Sequence, residues 1–116
     1  MDPSQAAAPA HEPVHGCTLA SAGQLARLAE FDQLFAGMAV PAQRPAPTHL
    51  RLELRRDPAA ARRAAELAVA ETACCSFFTF TLTAAADRLL LEIAVPEAHL
   101  PALAALAGRA AAQVPA

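Results

Sequence analysis

The sequence predicts an α+β domain, a two-layer α/β sandwich with helices on one face of a small sheet. Three observations carry this reading. THLRLELR (48–55) and FFTFTLT (77–83) alternate apolar and polar residues, the period of a half-buried strand. RLLLEIAV (88–95) follows the second run after AAAD (84–87), which makes a hairpin. Helix-period stretches precede, separate and follow these strands, so the element order is α-β-α-β-β-α.

Residues 1–14 are rich in Ala, Pro and small polar types and are expected to be a disordered tail, leaving 15–116 as a single α/β domain. CTLA (17–20) would serve as a short edge strand. SAGQLARLAEFDQLFAGM (21–38) is the first helix. Ser21 and Gln24 have capping-box spacing, Leu25, Leu28, Phe31 and Phe35 recur at helical intervals, and Gly37 is a stop. VPAQRPAP (40–47) reads as a proline-rich linker. In 48–55, Leu50, Leu52 and Leu54 face one way and Arg51, Glu53 and Arg55 the other. Asp57 and Pro58 supply an N-cap and a first-turn proline for a helix running to about Cys75. Its expected buried row is Ala60, Ala64, Leu67, Ala68, Glu71 and Cys75. Phe78, Phe80 and Leu82 share one face of the next strand, and Leu89, Leu91, Ile93 and Val95 point inward from the last. Pro96 and Glu97 open a final helix carrying Leu100, Leu103, Leu106 and Ala110. Strand, helix and strand then form a right-handed parallel crossover followed by a hairpin, resembling a ferredoxin-like fold that lacks its last strand.

Composition narrows the function classes. At 116 residues the chain holds one core. All nine basic residues are arginine, the formal charge is −2, and both signs are interspersed, so no basic patch points to direct nucleic-acid binding. No run approaches the ~20 apolar residues that span a bilayer. The N-terminus lacks a basic start and an apolar stretch, so it does not read as a secretory signal. A cytoplasmic, reducing location is the expectation, and there neighbouring thiols point to metal or redox chemistry more than to a structural disulfide.

The chain has three cysteines, and two are adjacent in ETACCSFFTF (71–80). Helical spacing puts Glu71 on the same side as Cys74 and Cys75. Adjacent helical residues diverge by about 100°, so two sulfurs grip one ion easily where the helix ends. The strand pattern starting at Phe77 predicts that it ends there. A helix C-terminus and Glu71 both work against a thiolate, so without a nearby arginine these thiols rest protonated until a soft cation displaces the protons. Hg(II), As(III), Cu(I) and Zn(II) are the thiophilic ions to weigh. Zinc spacings such as C-x2-C or HxxxH are missing, and His15, His49 and His99 are scattered, reading as surface residues. Cys17, Cys74 and Cys75 together would make a trigonal thiolate site suited to Hg(II) or As(III). The plainer alternative is that the cysteines pack as small hydrophobes. Glu71, a carboxylate on an apolar helix face, needs a partner, either an arginine or a catalytic or ligand role. Asp32 falls on the apolar row after Leu28, where a solvated edge position also accommodates it.

TLASAGQLARLAEFDQLFA, THLRLEL, ETACCSFFTFTLT and LLLEIAVPEAH resemble a group of small actinobacterial proteins. That group has a TLP-x-AEFD-x-LF segment and an E-x-x-CC-x-FF-x-F segment, and its members occur near, or fused to, metal-responsive regulators of the mercury-resistance type. The resemblance spans about residues 17–110, with TLAS standing where the group has a proline. It implies roles for Glu71, Cys74 and Cys75 and, further from the motif, Cys17, Glu30 and Asp32. Three function classes follow. The first is thiol-based binding of Hg(II) or As(III) by Cys74, Cys75 and Cys17, for buffering or detoxification. The second is a carbon–mercury lyase with two thiolates and an acid, Glu71 or Asp32. The third is a partner or sensory domain of a metal-responsive regulator.

Overall fold

The structure, a computed structural model, describes residues 21–113, with side chains from Gly23 onward. The tail, the CTLA strand, Cys17 and the Ser21 cap lie outside the described residues. The elements are α1 (Ser21–Phe35), β1 (Gln43–Ala46), β2 (His49–Leu54), α2 (Pro58–Cys74), β3 (Thr79–Ala84), β4 (Leu89–Ala94), a 3-10 turn (Glu97–His99) and α3 (Leu100–Ala111).

The four strands form one sheet in the order β1-β2-β4-β3, every neighbour antiparallel. Register decides which face is core. Leu50 pairs with Ile93, Leu52 with Leu91 and Leu54 with Leu89, and all six are buried. They pack with Phe31, Leu34, Phe35 and Met38, with Ala64 and Leu67 of α2, and with Leu103, Leu106 and Ala110 of α3. This is the two-layer sandwich the alternation predicts. The other face carries polar pairs: Arg51 opposite Glu92, and Glu53 3.0 Å from Arg88. His49 Nε2 lies 2.9 Å from Glu92 Oε2, close enough for an ion pair but without hydrogen-bond alignment. These pairs are partly exposed and add little stability.

Three expectations need correction. The stretch read as linker contains β1, which forms a hairpin with β2 through Pro47 and Thr48. Pro45 hid it, yet a proline is tolerated on an edge strand, where an N–H is not needed on the open side. β1 sits beside β2, the place that the last strand would occupy in the topology expected to lack it. Strands 48–55 and 77–83 do run in the same direction, but both pair with β4, which lies between them. The crossover is therefore the split one of a ferredoxin-like sheet, in keeping with the expected fold. The first helix ends at Phe35, and Met38 turns inward to bridge Leu54. Its buried row is Phe31, Leu34 and Phe35, whereas Leu25 is 42 % exposed. The final helix begins at Leu100 after the 3-10 turn.

α2 follows its sequence signals closely. The Asp57 carboxylate accepts the Ala59 N–H at 3.0 Å, and Pro58 opens the helix. Ala64, Leu67 and Glu71 are buried on its inner face, with Ala60 and Ala68 half-buried. The helix closes at Cys74, and β3 starts at Thr79.

Candidate functional site

The corner between α2 and β3 holds Glu71, Cys74 and Cys75. Cys75 is the C-cap of α2, and its N–H still donates to the Glu71 carbonyl at 2.7 Å. Its backbone has left the helix, with φ −124° and ψ 87°. That break lets two adjacent cysteines have different surroundings: Cys75 is buried against the core, and Cys74 is half-buried. Phe78 closes the corner, its N–H reaching the Cys75 carbonyl at 3.3 Å. Phe77 and Phe78 are in ring contact at 4.7 Å, and Phe77 stacks on His99 at 4.0 Å with planes 5° apart. His99 is thus tied to the corner through Phe77 and is not the free surface residue expected.

The two cysteines also differ chemically. Cys75 is disulfide-bonded. Among the described residues Cys74 is a free thiol. The pair therefore does not present two free thiols, as a reducing environment alone implies.

Arg27 on α1 organises the polar part of the corner. Its Nη1 donates to Glu71 Oε1 at 2.6 Å, and its Nε lies 3.3 Å from Glu30. The same guanidinium lies near enough to Cys74 for the thiol to help raise the Arg27 pKa. The condition set for protonated thiols, the absence of a nearby arginine, is therefore not met at Cys74. Arg27 and Glu71 expose only 14 % and 9 % of their side chains, so each charge depends on the other. Burial pushes the Glu71 carboxyl above its ordinary range; Arg27 offsets part of this, and Glu30 adds to the rise. Burial works to lower Arg27, but Glu71 and then Cys74 outweigh it, so the guanidinium stays charged.

This has a consequence for stability. Folded Glu71 holds its proton to higher pH than the unfolded chain does, so the folded state binds more protons between the usual value of 4.5 and the raised one. Its contribution is fully present below that usual value and is lost as pH rises through the folded pKa. Glu71→Gln is expected to flatten this fall, read by urea unfolding from about pH 4 to about pH 8. An unchanged pH slope in the variant would contradict it.

Asp32 is not part of the corner cluster. It makes a two-pronged ion pair with Arg109 of α3, at 2.9 and 2.6 Å, and so pins α1 to the helix on its other side. Asp32 does sit at a half-exposed edge, where this pair raises the Arg109 pKa. Among the described residues, no group of three or more His, Cys, Asp and Glu side chains is placed to hold a metal ion. A groove of about 500 Å³ lies between α1 and α2, lined by Glu30, Gln33, Arg62 and Glu66 among others, and neither cysteine lines it.

Arg27 is the residue that sequence reading missed. It precedes buried Phe31 by four positions and Leu34 by seven, which puts a charge on the inner face of α1. Two opposite charges on the apolar faces of two helices are the signal that pairs it with Glu71. Compared with protein-family models, curated proteins and solved structures, the chain finds no match.

Proposed function

We propose that in its reduced form this chain binds a thiophilic ion, Hg(II) first and As(III) second, through Cys74 and Cys75, with Cys17 as a third thiolate. The observation that supports it is the Cys74–Cys75 pair at a helix end, with the Arg27–Glu71 pair against the accessible sulfur. Two equivalents of a small thiol first reduce the Cys75 disulfide by exchange, together giving two electrons and two protons and leaving joined as their own disulfide. The ion then displaces one proton from each thiol and takes both sulfurs as thiolates. Phe77 and Phe78 flank this corner with apolar surface, which disfavours hard, strongly hydrated ions. Buffering or detoxification of the ion is the role that follows.

Native mass spectrometry of the reduced chain, titrated with Hg(II), As(III), Cu(I) and Zn(II), tests the reading. One tightly held Hg(II) per chain, retained against excess zinc, is expected. Zinc retained in preference to Hg(II) and As(III), or no defined stoichiometry, argues against it.

Burial of Glu71 favours a second reading, a carbon–mercury lyase. Burial moves the carboxyl in the direction an acid needs, whereas its 2.6 Å ion pair with Arg27 opposes proton delivery, so this reading requires that the pair open when substrate binds. In that reaction the carbon–mercury bond breaks, its electron pair takes the Glu71 proton, and the metal stays on the two sulfurs. Repeated release of benzene from phenylmercury by wild type, absent in Glu71→Gln, selects this reading over simple binding.

A further inference from the structure

The two edges of the sheet are built differently. β1 has four residues, includes Pro45, and its register with β2 shifts between Gln43 and Ala46. Shortness, proline and irregular register are devices that stop an edge from recruiting another strand. β3, at the opposite edge, has none of them. It has six residues, all but Phe80 exposed, and no proline or charge occurs from Phe77 to Ala86.

The hairpin sets which of its backbone groups have no strand partner among the described residues. The Ala85 N–H donates to the Arg88 carbonyl at 2.9 Å, in register with Thr83 opposite Leu90 and Thr81 opposite Glu92. In an antiparallel ladder, residues whose polar groups face the neighbour alternate with residues whose groups face away. Phe80, Leu82 and Ala84 therefore turn their N–H and C=O groups outward. Phe80 and Leu82 also share the core face, because they pair with buried Ile93 and Leu91. Leu82 is nonetheless 38 % exposed, at the middle of the open edge.

We propose that β3 is a self-association interface, on which a second copy of this chain pairs antiparallel about a two-fold axis at Leu82. The two four-stranded sheets then become one continuous sheet. Leu82 meets its twin, Phe80 faces the partner's Ala84, and about six main-chain hydrogen bonds form. The contact is isologous, so a charge in the strand would meet the same charge in its mate. The uncharged Thr79–Ala84 segment avoids that repulsion, and Leu82 gains the apolar cover that its own helices do not give it. This proposal is independent of the cysteines.

Sedimentation equilibrium of the full chain, over roughly three decades of concentration up to about 1 mM, is the test. A monomer–dimer equilibrium is expected. Leu82→Arg and Leu82→Glu, at an exposed site, are each expected to keep the far-ultraviolet circular dichroism of the fold and weaken dimerisation at least ~10-fold. A one-to-one mixture restores it, because opposite charges then face each other. Amide exchange at Phe80, Leu82 and Ala84 slows with increasing concentration. A wild type that remains monomeric, or variants that dimerise as wild type does, overturns the proposal. Concentration-independent protection of those amides also overturns it, since the chain's own N-terminal segment then occupies the edge.

Discussion

Serine in place of Cys74 is expected to lower the Hg(II) affinity of the reduced chain at least ~100-fold. Changes to groups that merely orient ligands cost roughly 10–100-fold, and this substitution removes a ligand itself, turning a thiolate into a hydroxyl. Cys74 is the cleaner position because it is half-buried, so the exchange disturbs little packing. Cys75→Ser is expected to cost as much in affinity. Its buried sulfur also contributes to the core, so its folding is checked separately by urea unfolding. Cys17→Ser is expected to have a much smaller effect, as a third ligand to an ion that two sulfurs already hold. Competition with a small thiol of known mercury affinity gives the constants. Equal affinity in wild type and all three variants would make the cysteines incidental.

The second large effect concerns the packing that holds the corner in place. Phe31→Ala is expected to cost about 3–5 kcal/mol, a large part of the ~5–15 kcal/mol that stabilises a typical domain. Phe31 is 0 % exposed, its ring lies 5.9 Å from Phe35 and 6.3 Å from Phe80, and it joins α1 to β3. Truncation leaves a cavity between helix and sheet that close-packed neighbours fill poorly. Leu25→Ala on the same helix, 42 % exposed, is expected to change stability by no more than about 0.5 kcal/mol. Urea midpoints with unchanged slopes measure both. Comparable losses for the two would mean that the inward face of α1 is wrongly assigned.

That helix also shows what the sequence carried and what it did not. Alternation in 48–55 and 88–95 marked the buried leucines because a strand's period is two and one face is wet. Asp57 and Pro58 marked the start of α2, since a side-chain cap and a first-turn proline are local signals. α1 was harder. Leu25 has the spacing of a core residue but is exposed, while Leu34, off the expected row, is buried. β1 was hidden by Pro45, a residue that excludes a central strand but not an edge. Its position beside β2, and that of β4 between β2 and β3, are set by long-range pairing that local pattern does not encode.

The site divides in the same way. Helical spacing placed Glu71 beside Cys74 and Cys75, and the switch of period at Phe77 located the helix end at about Cys75, one residue past where it closes. Neither spacing nor composition identified the partner of Glu71. That required α1 to lie against α2 so that Arg27, 44 residues earlier, reaches it. Asp32 shared the acidic, helix-face signature of Glu71, but the packing of α3 gives it to Arg109 instead. Two carboxylates similar in sequence therefore serve different ends: one buried beside a thiol, the other pinning two helices at a half-exposed surface.

The central claim, that the adjacent cysteines take a thiophilic ion, is tested most directly by mercury X-ray absorption. The sample is the reduced chain loaded with one equivalent of Hg(II), compared with Cys74→Ser prepared in the same way. The account predicts a first shell of sulfur alone in the wild type, and loss of a sulfur scatterer in the variant. A wild-type shell dominated by nitrogen or oxygen, or a sulfur shell unchanged by Cys74→Ser, would contradict it.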